Sequence, residues 1–257
     1  MTRTSIVYLM YHELELAGRK FSQSDPGCMR YVLPIEAFRQ QMKWMKCSGF
    51  RGLSVGEALK SPAGPAVCIT FDDGCETDLI AAAPVLIESD FHATFYVAAG
   101  FLGKRGYMTL EQLQELSALG FEIGCHSMTH PYFSDLAEAE LKREIVDAKQ
   151  RIEQIVGHGI QHLSCPGGRY DRRTLDVATW AGFMTVANSE VRANSSATNR
   201  QRLGRVAVLR GLSLDGFAAI CRGEGLWKKR LQQRMRGTVQ RALGNNAYDK
   251  LRAALLG

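Results

Sequence analysis

At 257 residues with 46% hydrophobic side chains, the chain is long enough for one large domain or two small ones, and no stretch is apolar enough to span a bilayer. Its net charge of +6 is uneven: residues 226–257 carry eight Lys or Arg against one Asp, which leaves residues 1–225 one charge negative. The basic balance belongs to the tail, so no nucleic-acid footprint is expected on the main body. Seven cysteines without a CxxC spacing read as free thiols in a reducing compartment, not as a zinc ribbon or redox pair. The start, MTRTSIVYLMYHELE, lacks the charged end, long apolar run and cleavage site of a secretory signal; if Met1 is the natural start, a cytoplasmic location is expected.

In chain order, SIVYLMY at 5–11 predicts a strand and the apolar spacing over 35–47 a helix. AVCITF (66–71) is a strand, 77–89 a helix, ATFYVA (93–98) a strand and 109–119 a helix. FEIGC (121–125) is a strand followed by a helix over 135–156, with Ser134 as its N-cap just after Pro131. IQHLSC (160–165), a helix over 171–181, FMTVAN (183–188) and RVAV (205–208) complete the body. Strands alternating with helices imply a parallel α/β sheet, and about seven units suggest a closed or nearly closed barrel in one domain, 1–225. The tail, 226–257, spaces Trp227, Leu231, Met235, Val239 and Leu243 by four among Lys and Arg. It reads either as a helix packed on the barrel with a solvated basic face, or as an interfacial helix drawn to anionic lipid. Gly237 and Gly244 weaken it as a helix.

TFDDGCETD at 70–78 places Asp72 and Asp73 side by side at the end of a buried strand, ahead of Gly74. Two crowded carboxylates repel unless a cation or a proton compensates. The strand FEIGC runs into HSMTH, where His126 and His130 lie four apart. One carboxylate and two imidazoles make a three-ligand set with open positions, the pattern of a catalytic metal, and leave a second carboxylate as a base.

TFDDG at 70–74 followed by HSMTH at 126–130 resembles the polysaccharide deacetylases of the NodB-homology type, carbohydrate esterase family 4. LMYHELE at 9–15, residues 31–59, ATFYVAAGFLG at 93–103 and LSCPGGRY at 163–170 extend the resemblance over about residues 5–217. It implies a distorted, incomplete (β/α) barrel and a divalent metal, usually zinc, that serves to hydrolyse N- or O-acetyl groups on sugars. Asp73, His126 and His130 would hold the metal, Asp72 would be the base, and a backbone N–H near Gly167 would face the oxyanion.

Two departures stand out. The family's third motif opens with an Arg that pairs with the base, and here Ser164 stands in that place; Arg205 is a candidate source of the charge. The late histidine that serves as general acid is also missing, since no histidine follows His162. Relatives acting on poly-β-1,6-N-acetylglucosamine begin with a similar Tyr-His segment, so His12 is assigned the role, and His92, His158 and His162 read as structural or exposed. The expected activity is deacetylation of an N-acetylhexosamine glycan or glycan precursor. Its alternatives are an O-acetyl esterase, another N-acyl deacylase, or a non-catalytic carbohydrate-binding module. The expected partner is an acetylated sugar, with peripheral contact at the inner membrane face if the tail is interfacial.

Overall fold

β-branched and aromatic runs form the strands of a computed structural model that describes residues 5–60 and 63–233. In chain order they are β1 (Ile6–Tyr11), β2 (Leu14–Glu15), β3 (Leu33–Pro34), β4 (Arg51–Leu53), β5 (Ala66–Phe71), β6 (Thr94–Val97), β7 (Glu122–Cys125), β8 (His162–Ser164), β9 (Thr185–Ala187), β10 (Ala193–Asn194) and β11 (Val206–Ala207). Strands β1, β5, β6, β7, β8 and β9 lie side by side, all parallel, and β11 adds a seventh beyond β1. β4 runs parallel to the start of β5, β10 lies antiparallel to β1, and β2 pairs with β3 apart from the main sheet. The sheet curls into a distorted, incomplete α/β barrel. Residues 203–207 span its gap: Leu203 bridges to Ala187 of β9, while Val206 and Ala207 pair with Leu9 and Met10 of β1.

The two-residue period of the strands sorts side chains onto two faces. Tyr11, Phe71 and Phe95 are neighbours in register and stack outward at 5.1 and 5.0 Å, with Phe38 of the helix Ile35–Cys47 edge-on to Tyr11 at 5.2 Å. They belong to the main core between sheet and helices. Tyr8, Cys68, Tyr96 and Leu203 face inward in a smaller cluster that fills the barrel. Gly124 makes room for this layer, because a Cβ there would lie 2.5 Å from the Tyr96 ring.

Below that layer lies a polar one. Glu122 accepts the Gly56 N–H at 3.0 Å, takes the Thr94 hydroxyl as a close donor and lies 3.3 Å from His162 Nε2, while His162 Nδ1 meets the Thr185 hydroxyl at 2.9 Å. Burial works to raise the Glu122 carboxyl, but His162, Thr94 and Gly56 together hold it below its usual range.

The helix expected over 77–89 divides into a π-helical turn, Asp78–Ala82, and an α-helix, Ala83–Ser89, that carries Pro84 in its first turn. Leu110–Ala118 is closed by a Thr109–Gln112 capping box, and Arg172–Trp180 by Asp171. Ser134 is not the cap of the following helix. A 3-10 turn, Phe133–Asp135, and extended backbone at Leu136 and Ala137 delay the start to Glu138, where the Glu140 carboxylate accepts the Ala137 N–H. That helix then runs through a π-helical segment, Arg143–Asp147, to Val156.

A helix at Leu214–Cys221 has no counterpart among the sequence expectations. Residues 226–233 are helical and pinned at one end: Arg230 pairs with Glu190 at 2.6 Å and Gln233 Oε1 accepts the Val191 N–H at 2.9 Å. Trp227 and Leu231 are exposed. The rest of the expected tail helix, with Met235, Val239, Leu243 and both glycines, lies outside the described residues. No described helix is long and apolar enough to cross a membrane.

Replacing Glu122 with Ala strands the Gly56 N–H, Thr94 and His162 together, and should cost about 2–3 kcal/mol in urea unfolding at pH 7. Because the folded carboxyl titrates below its ordinary value, its contribution is complete above the unfolded pKa of about 4.3 and fades as the pH falls through the folded one. The gap between wild type and variant should therefore narrow only in acid.

Candidate active site

The alternation of β5 points Thr70 and Asp72 into the barrel and Phe71 out, and it would send Asp73 outward as well. Backbone geometry prevents this. Asp73 adopts a left-handed φ of 83° and Gly74 one of 80°, so the chain turns and both carboxylates reach one cleft. Gly74 also packs tightly, since a Cβ would meet Val97 at 3.0 Å.

Asp72 is buried and forked by Arg205, with Nη1 to Oδ1 and Nη2 to Oδ2 both 2.7 Å. The remaining donors of Arg205 go to Ser164 Oγ at 2.7 Å, Thr70 Oγ1 at 3.1 Å and the Asn188 carbonyl at 3.2 Å. Ser164 Oγ lies 3.4 Å from Asp72 Oδ2, so the serine flanks the ion pair and touches both partners. Burial opposes ionisation of Asp72, but the Arg205 charge outweighs it and holds the carboxyl far below its usual range. Arg205 is wholly buried beneath Asp72 and spent on this pairing.

Asp73 faces the histidines. Its Oδ1 is buried, without a hydrogen-bond partner, and lies 3.5 Å from His126 Nε2 and 3.3 Å from His130 Nε2. The ligand atoms of the three residues all fall within 4.8 Å of one another. These N···O separations exceed a good hydrogen bond, yet match two ligands of one tetrahedral ion held at about 2.0–2.1 Å. His126 Nδ1 lies 2.9 Å from the Ser164 carbonyl, which fixes the tautomer with Nε2 unprotonated toward Asp73. Burial pushes the His126 imidazole down to about 4, so it stands neutral. The orphaned oxygen, the fixed tautomer and the spacing all fit a divalent cation.

The loop carrying the histidines holds two more left-handed residues, Ser127 (φ 72°) and His130 (φ 66°). Ser127 Oγ accepts the His130 N–H at 2.8 Å. Glu144 ties the loop from behind, its carboxylate accepting the Met128 N–H at 3.0 Å, the Thr129 N–H at 2.8 Å and the Thr129 hydroxyl at 2.6 Å. Nothing in the sequence marks Glu144 apart from other helical acids; its π-helical segment turns it onto the loop.

His12 follows β1, with Nδ1 buried and unpartnered and its ring 4.7 Å from that of Tyr31. Burial lowers its pKa, while the charges of Asp73 and Asp72 pull it back up. Glu13 is not its partner, since that carboxylate accepts the Ser22 N–H and hydroxyl. Gly167 lies on the 3-10 turn Pro166–Gly168 after β8, left-handed and exposed beside Tyr132, over whose ring Arg169 stacks at 3.8 Å. Phe101, 6.0 Å from the His130 ring, adds a further aromatic wall. Of the remaining histidines, His162 belongs to the lower polar layer, and His92 and His158 are exposed.

A parallel α/β barrel with an acid–histidine cluster at the carboxyl edge of its strands defines a class of barrel enzymes. The family model described as polysaccharide deacetylase matches residues 60–186. The Bacillus subtilis protein YxkH is 29% identical over 217 residues, covering 82% of this chain and 74% of that protein. A peptidoglycan-N-acetylglucosamine deacetylase from Bacillus cereus is 31% identical over 121 residues, covering 47% of this chain and 54% of that enzyme. Among solved structures, the Streptococcus pyogenes deacetylase PplD in complex with acetate superposes with a TM-score of 0.75 at 25% identity, over 84% of this chain and 98% of that one. The chain carries a polysaccharide deacetylase domain over residues 60–186 and resembles deacetylases well beyond it.

Two sets of substitutions test this anatomy. Arg205→Met leaves Asp72 buried and unpaired and should cost about 3–5 kcal/mol of stability. The exchange Ser164→Arg with Arg205→Ser brings the charge back from β8 and should recover much of it, as read by urea unfolding. Glu144→Ala should weaken divalent-ion affinity about 10–100-fold by calorimetry, with Glu144→Gln intermediate because it retains one acceptor.

Proposed function

We propose that the chain is a divalent-metal-dependent hydrolase that removes N-acetyl groups from an N-acetylhexosamine glycan or glycan precursor and releases acetate. The observation carrying this reading is the pairing of an orphaned Asp73 Oδ1, facing two imidazoles, with an ionised Asp72 alongside. Asp73, His126 and His130 would hold the ion, and zinc suits two imidazoles and a carboxylate. When bound, such an ion polarises a carbonyl and makes water more acidic.

The chain's own residues supply the rest. Asp72 stays ionised through Arg205 and accepts the proton of the attacking water at Oδ2, the oxygen 3.7 Å from His126 Nε2. His12 is the proposed proton donor to the departing amine, which leaves poorly as an anion; because burial lowers its pKa, it must first take up a proton beside Asp72 and Asp73 to serve. A backbone N–H near Gly167 is the proposed donor to the oxyanion. Tyr31, Phe101 and Tyr132 offer rings to flank a sugar.

Acetate release by the zinc-loaded chain from chitin oligomers, compared with O-acetylated xylan oligomers, tests the reading directly. Preference for the O-acetyl ester would move it to an esterase, and no release from either would sink it. His126→Ala should lose most bound metal by elemental analysis. Asp72→Asn should keep the metal and lose turnover by about two to four orders of magnitude. His12→Ala should impair an amide substrate by about two orders of magnitude and an activated aryl acetate, whose phenolate leaves unaided, far less. Equal losses on both substrates would remove His12 as the acid.

A further inference from the structure

A second cleft of about 380 Å³ opens at the rim of the site, lined by Arg19, Lys20, Glu76, Lys104, Arg105 and Tyr107 among others. Four cations face one acid there. Glu76 is already satisfied, closely paired with Arg19 and accepting from Gln112 at 3.2 Å. Lys20, Lys104 and Arg105 are exposed, and none of the three pairs with a carboxylate among the described residues. The cluster cannot be put down to a basic chain, because residues 1–225 are one charge negative as a whole.

Its position ties it to the site. Glu76 lies three residues beyond Asp73, and the turn carrying Asp73 and Gly74 is bonded to the far wall, with Glu76 N–H to the Gly106 carbonyl at 2.9 Å and Met108 N–H to the Gly74 carbonyl at 3.1 Å. Phe101 joins the two clefts: its ring is 6.0 Å from the His130 ring, 4.7 Å from the Tyr107 ring and 5.0 Å from the Lys104 ammonium. A glycan with one sugar against the histidines would pass Phe101 into a field of three unopposed positive charges.

We infer that this cleft is an anion subsite, and that the substrate is an acidic glycan bearing a carboxylate or phosphate on a sugar next to the one that loses acetate. The inference rests on the deacetylase reading for the identity of that sugar. Exposed lysines act as screened point charges, so each contributes modestly and the three act together on capture. Arg105 adds a planar fork that suits either anion.

The test uses the full zinc-loaded chain and three acetylated oligomers of matched length: a neutral chitin oligomer, one with lactyl-ether carboxylates, and one ending in a phosphodiester. Turnover is read as kcat/KM, and binding separately by fluorescence anisotropy of labelled oligomers. At low salt an acidic oligomer should exceed the neutral one by about tenfold, chiefly through KM, and 0.5 M salt should erase most of the advantage. The arm showing the preference identifies carboxylate or phosphate. In Lys20→Glu/Lys104→Glu/Arg105→Glu the ratio of acidic to neutral should fall to about one or below. Equal affinity for all three oligomers, or an acid preference that survives the triple reversal, overturns the subsite. Acidic preference in binding without acetate release from any oligomer retains the subsite and overturns the deacetylase reading; acetate release without acidic preference does the reverse.

Discussion

The buried pair of Asp72 and Arg205 is the interaction on which the site depends. Taking a carboxylate out of water costs several kcal/mol, and a solitary acid at that depth would take up a proton. A two-pronged guanidinium, with Ser164 alongside, keeps Asp72 charged and fixed in orientation. That division of labour leaves Asp73 with no internal cation. Of two adjacent acids, one is neutralised from inside the barrel and the other faces only the two imidazoles of His126 and His130.

The barrel interior is layered. At the amino ends of the strands, Thr94, Glu122, His162 and Thr185 satisfy one another. In the middle Tyr8, Cys68 and Tyr96 fill the space. At the carboxyl ends the polar groups are incompletely satisfied, and three non-glycine residues, Asp73, Ser127 and His130, take left-handed backbone. Such backbone costs about 1–3 kcal/mol per residue and persists only where surrounding bonds over-determine it. Glu144 and the Ser127 hydroxyl provide those bonds for the histidine loop.

Much of this was legible in the sequence. The seven strands at the expected places follow from β-branched runs, and the acid and histidine motifs stood out because short polar clusters after apolar strands are unusual. What was not legible depends on proximity in space. Ser134 has the residue type of an N-cap, yet the chain takes a 3-10 turn there, and the helix starts later. Leu214–Cys221 is too short and too uniformly apolar for its period to show. Arg205 drew notice only as a charge at a strand start; that its guanidinium is wholly enclosed follows from barrel closure, which no local pattern encodes. Glu144 looks like any solvated acid of a helix until a π-helical turn directs it inward.

The placement of Arg205 also sets an order of assembly. It lies 133 residues beyond Asp72, on the segment that joins the last strand of the barrel to the first. During synthesis β1 and β5 can pair long before this segment exists, leaving Asp72 facing an open interior with no counter-charge. Contacts of such sequence separation form late, because chain closure must precede them. The acid in the centre of the site therefore acquires its counter-charge in the same event that closes the gap between the last strand and the first, and a chain stopped short of residue 205 would have to bury that carboxylate unpaired.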